Sequence, residues 1–131
     1  MKPPDDIPSL DPGQPLVDFE QLHAATDGDA EVMRELVDLY FKQAGEIMAG
    51  LSAAAKAGDA AEMNHLAHKL AGSSLACGMC AAAPLMRQLE HNAREGRIEG
   101  ADETLGLAVK SIEAMRERAQ SYLASFKRQA R

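Results

Sequence analysis

The chain has 131 residues and a formal net charge of −6, enough for one domain with one modest core and the wrong sign for a nucleic-acid partner. It has no Trp, two Tyr and three Phe among many Ala, Leu, Met, Glu and Lys, which favours helices and gives strands little to build from. No apolar run approaches the roughly 20 residues needed to cross a membrane, and the N-terminus carries no apolar signal core, so a cytoplasmic protein is expected.

Residues 1–16 hold five of the six prolines, with Asp, Ser and Gly between them, and read as a flexible leader. Asp18-Phe19-Glu20-Gln21 opens a short helix. Asp18 is its cap, with Gln21 three residues on in a capping-box arrangement, and Phe19 and Leu22 are its apolar contacts. It ends near Thr26-Asp27-Gly28, where the Asp-Gly pair signals a turn.

Asp29 caps a second helix running to about Ala57. Its apolar stripe is Met33, Leu36, Val37, Tyr40, Ala44, Ile47, Met48, Leu51 and Ala54, at steps of three, four and one. Such a helix is about 40 Å long, and Gly58 ends it as a left-handed cap. Asp59 with Glu62 starts a third helix, which continues to about Cys77. Met63, Leu66, Leu70, Ser74 and Cys77 share one of its faces. His68 lies about 140° round from Met63, with Gly72 one turn further along. A glycine inside a helix costs about 1 kcal/mol against alanine, so one beside a histidine suggests that something approaches closely there.

Gly78 breaks the chain, and the next helix folds back antiparallel. It starts near Ala82 or Ala83 with Pro84 in its first turn, carries Leu85, Met86, Leu89 and Ala93, and ends at Glu95-Gly96. Asp102 is the expected cap of the last helix. That helix carries Leu105, Ala108, Val109, Ile112, Met115, Ala119, Tyr122, Leu123 and Phe126, with Lys127, Arg128 and Arg131 at its C-terminal end. Periodicity alone therefore yields an all-α protein. Short connections make it an up-down-up-down antiparallel four-helix bundle with a short extra N-terminal helix, spanning residues 17–128.

Cys77 and Cys80 are spaced as Cys-x-x-Cys. A redox pair needs a βαβ context and zinc needs about four ligands, and neither is visible, so both read as structural thiols and no metal site is expected. Nor is there a P-loop, a Gly-rich nucleotide loop or an acidic metal triad, so ATP chemistry is not expected.

The run Ala67-His68-Lys69-Leu70-Ala71-Gly72-Ser73-Ser74, with Gly78 ten positions after the histidine, resembles the active-site helix of the histidine-containing phosphotransfer (HPt) domains of bacterial phosphorelays. The likeness extends over roughly residues 18–123. It implies that His68 carries a phosphoryl group between receiver-domain aspartates, with response-regulator receiver domains and a hybrid sensor kinase as partners. It also implies no cofactor on this chain, Mg2+ on the partner receiver, and a monomer. The family's lysine, three residues after the histidine, is Ala71 here. Lys69 and Arg87 are the candidates for supplying that charge, and Glu90, in the pair Leu89-Glu90, is the candidate for orienting the imidazole. Gly72, Ser73 and Leu75 would frame the docking surface. The missing lysine leaves a second reading, an unphosphorylated helical adaptor that sequesters a receiver or kinase. A third, a metal or redox bundle using Cys77 and Cys80, has less behind it.

Overall fold

The computed structural model describes residues 16–129, with side chains through residue 125. All but the last residue of the expected leader, 1–16, and the side chains of Phe126, Lys127, Arg128 and Arg131 lie outside the described residues. Among the described residues five helices follow one another: α1 (Phe19–Thr26), α2 (Ala30–Ala57), α3 (Ala60–Cys77), α4 (Ala82–Arg94) and α5 (Ala101–Gln129). The last four pack in a ring in which α3 touches α2 and α4, and α5 touches α4 and α2, while α1 lies on α2 and α3. This is the antiparallel bundle expected from the short connections.

The helix starts follow from local chemistry. The Asp29 carboxylate accepts from the backbone N–H of Glu31 and Val32 at 2.9 and 3.1 Å, and Asp59 accepts from Glu62 at 3.1 Å. Asp18 caps α1 through the N–H of Gln21 at 3.2 Å, but the reciprocal half of the capping box does not form. The Gln21 side chain instead donates to the Ala76 carbonyl at 3.1 Å, because the last carbonyls of α3 have no partner within their own helix. Asp102 is not the cap of α5. The helix begins at Ala101, and the Gly100 carbonyl takes the first bond, from the Thr104 N–H at 3.2 Å, leaving Asp102 in the first turn.

The buried faces differ from the expected stripes where a helix meets two neighbours. On α3, Ala67 and Ala71 are fully buried while Leu66 is only partly so, because alanines let α2 and α4 approach closely on either side. On α2, Phe41 joins the core beneath the Arg116 guanidinium, 5.0 Å from the ring centre, whereas Leu36 and Met48 lie at its margin. On α5, Val109 was expected inside and is 45% exposed. Between α2 and α3 the hydroxyls of Tyr40 and Ser74 meet at 2.7 Å in the core. Burial pushes the Tyr40 phenol up to about 12 against the lowering effect of that bond, so it stays neutral.

The reversal between α3 and α4 is fixed at Gly78, whose φ is +78°. Its carbonyl accepts from the Asp18 N–H at 2.7 Å, and the Leu16 carbonyl accepts from Ala81 at 3.3 Å, so the entry to α1 is tied onto the turn. A Cβ at Gly78 would lie 2.4 Å from the Asp18 carbonyl oxygen, whereas one at Gly58, with φ +71°, would meet nothing within 4 Å. Gly78→Ala is therefore expected to cost about 3 kcal/mol or more, from backbone strain plus displacement of the α1 entry, and Gly58→Ala only about 1–2 kcal/mol from strain alone. Urea unfolding of the two variants measures the difference; equal losses would remove the close approach as a cause.

Candidate functional site

His68 stands on the outer side of α3 with 68% of its side chain exposed. Behind it, α4 presents Glu90, whose side chain is 10% exposed. The two helices are locked in register at this point. The Asn64 side chain, one turn before His68, donates to the Glu90 backbone carbonyl at 2.8 Å, and His68 Nδ1 lies 2.7 Å from Glu90 Oε2. A carboxylate only accepts, so Nδ1 carries the proton and Nε2 is left with its lone pair free.

Glu90 gathers more than the histidine. Arg87 Nη1 reaches its Oε1 at 3.4 Å, and Arg94 Nη2 reaches Oε2 at 3.5 Å, at spacings of three and four along α4. Burial pushes the Glu90 carboxyl up, but the hydrogen bond and charge of His68, followed by those of Arg87, outweigh it and hold the group below its ordinary 4.5. Among the described residues no buried side-chain nitrogen or oxygen lacks a hydrogen-bond partner.

Of the residues singled out in the sequence, His68, Glu90 and Arg87 are brought together. Gly72 is exposed beside them, and a Cβ there would meet nothing within 4 Å, so the next turn of α3 leaves open space. Ser73 turns toward α2 and donates to Gln43 Oε1 at 3.4 Å. Leu75 is 50% exposed, an apolar side chain on the same outer surface. Lys69 is exposed and lies outside the Glu90 cluster. Ala71 is fully buried, so a lysine at that position would have to run its stem out of the core to reach water. Arg94 was missed. Its spacing of four from Glu90 was the available signal, but that spacing marks an ordinary surface pair until Glu90 is known to be buried.

The other candidates are accounted for elsewhere. His23 hydrogen-bonds the Tyr122 hydroxyl, and His91 lies 3.7 Å from Glu95. Both cysteines are free, Cys77 buried and Cys80 half-buried. Burial pushes both thiols up, with the Asp18 carboxylate adding to it at Cys80, which makes them poor nucleophiles. Among the described residues no three His, Cys, Asp or Glu side chains group to hold a metal, and no helix is long and apolar enough to cross a membrane.

Fold and site together define a helical carrier bundle, in which one imidazole is held outward by a carboxylate of the neighbouring helix. The chain belongs to the Hpt domain family, whose model matches residues 35–122, a range that includes His68 and Glu90. It is thus a histidine phosphotransfer protein of the phosphorelay type. Its fold is similar to that of histidine-containing phosphotransfer protein B from Pseudomonas aeruginosa PAO1, with a TM-score of 0.79 at 24% identity, covering 85% of this chain and 96% of the other. No curated protein matches the sequence.

Because the folded carboxyl of Glu90 titrates below its ordinary value, its ionised form stabilises the fold above about pH 4.5, and that contribution is lost as pH falls through the lower folded value. The stability difference between wild type and Glu90→Gln is therefore expected to be largest near neutrality and to shrink below about pH 4.5. Denaturant unfolding at pH 7, 5 and 3.5 tests this; a pH-independent difference would remove the charged cluster as its source.

Proposed function

We propose that His68 is the phosphoacceptor, taking a phosphoryl group from a receiver aspartate and passing it to another. The observation that carries this reading is the bond from His68 Nδ1 to Glu90 Oε2. It leaves Nε2 as the nucleophile on the exposed side. Nε2 attacks the phosphorus of the acyl phosphate in line, the N–P bond forms as the P–O bond to the aspartyl carboxyl breaks, and the carboxylate leaves. The proton stays on Nδ1, and Glu90 stabilises the cationic ring that results. The reverse transfer uses the same groups.

In this reading the carrier unit is the bundle of residues 17–128, acting in the cytoplasm with receiver domains and a hybrid sensor kinase. It has no ATP-binding or kinase machinery of its own and needs no cofactor, the Mg2+ belonging to the receiver. Gly72 leaves room for the partner's active-site edge, and Ser73 and Leu75 frame the contact. Arg87 and Lys69 supply positive charge at its rim, the place of the lysine replaced by Ala71.

The test is transfer from a panel of phosphorylated receiver domains. Wild type is expected to gain an acid-labile, alkali-stable label, and His68→Gln none. Glu90→Gln keeps an oxygen that can accept from Nδ1 but loses the negative charge that stabilises the cationic ring, and is expected to transfer about tenfold or more slowly. A receiver that binds wild type without labelling it would leave the sequestering adaptor instead.

A further inference from the structure

A groove runs between α2 and α5, on the side of the ring opposite the α3–α4 pair that bears His68. One hollow of about 410 Å³ lies among Met48, Ala49, Leu105, Gly106 and Val109, and a second of about 180 Å³ continues it past Gly45 toward Arg116. Val109, 45% exposed, stands on its rim.

Two glycines flank that valine. Gly45 and Gly106 lie inside their helices, and a Cβ at either would meet nothing within 4 Å. The chain's own packing therefore gives no reason for them, and each weakens its helix. Gly50 differs, since a Cβ there would lie 2.9 Å from Leu66 Cδ1. Glycines that open a groove without being required by the fold suit the close approach of another helix.

The charges along α5 say which helix. Asp102 and Arg116 share the exposed face with Gly106 and Val109, and each is seven residues from Val109, about 10 Å along the axis. Among the described residues neither takes part in an ion pair, the Arg116 guanidinium lying over the Phe41 ring of α2, 5.0 Å from its centre. A twofold axis at Val109 brings the Asp102 of one copy against the Arg116 of another, twice, with Gly106 and Val109 at the crossing.

We propose that the groove is the interface of a reversible homodimer in which the α5 helices cross antiparallel at Val109. The sequence had suggested a monomer. The pairing leaves both His68 faces outward, and the proposal is independent of the role given to His68.

Sedimentation velocity of the full chain between about 1 and 100 μM tests it. Wild type is expected to pass from monomer to dimer over that range. Asp102→Arg and Arg116→Asp are each expected to weaken the dimer about tenfold, and the double charge swap to restore it. Gly106→Gln fills the open space, and is expected to abolish the dimer while melting no lower than wild type. A wild type that stays monomeric throughout, a double swap as weak as the single variants, or a Gly106→Gln protein that dimerises normally would each overturn the proposal.

Discussion

The reversal at Gly78 is the constraint on which this bundle depends. Only a residue without a side chain fits there, since the backbone is left-handed and the Asp18 carbonyl occupies the place of a Cβ. That turn brings α4 back along α3, and the two helices can lie close because the residues between them are small: Ala67 and Ala71 on one side, Ala82, Ala83 and Ala93 on the other. The same turn receives the entry to α1, whose Phe19 then stacks on Tyr122 of α5 with ring centres 4.1 Å apart. One tight turn thus sets the helix pair that carries the site and ties both ends of the bundle together.

Close packing of α3 on α4 has an electrostatic consequence. It places Glu90 at the edge of the interface, where a carboxylate left alone would be costly to keep ionised. His68, Arg87 and Arg94 surround it, and the charge is retained. The carboxylate in turn fixes the imidazole. An exposed histidine ordinarily samples several rotamers and both tautomers. Here the buried partner selects one tautomer and turns the other ring nitrogen outward. The cluster is therefore built from the inside, with its rigid element in the interface and the second ring nitrogen of His68 turned to solvent.

Glycines mark different surfaces of the same bundle for different reasons. Gly50 makes room for Leu66 within the fold, whereas Gly72, Gly45 and Gly106 make room for nothing in the chain itself. Gly72 opens the surface beside His68, and the other two open the groove on the opposite side. Each of these three lowers helix propensity and leaves open space on the surface of the bundle.

Much of this was legible in the sequence, because it rests on local rules. The helix limits follow from Asp18, Asp29 and Asp59 as caps and from Gly58 and Gly78 as left-handed ends, each set by its own few neighbours. Spacing and likeness also singled out His68, Glu90 and Arg87, which the fold brings into contact, and Gly72, which it leaves open beside them. Tertiary structure alone decided what depends on a second helix: that Ala71 is core rather than surface, that Gln21 serves α3 rather than its own cap, that Phe41 is covered and Val109 is not, and that Arg94 belongs to the Glu90 cluster. A helical period tells which residues share a face. It does not tell how wide a face two neighbours will cover, and burial, which turns an ordinary i,i+4 pair into part of a site, exists only once the neighbours are in place.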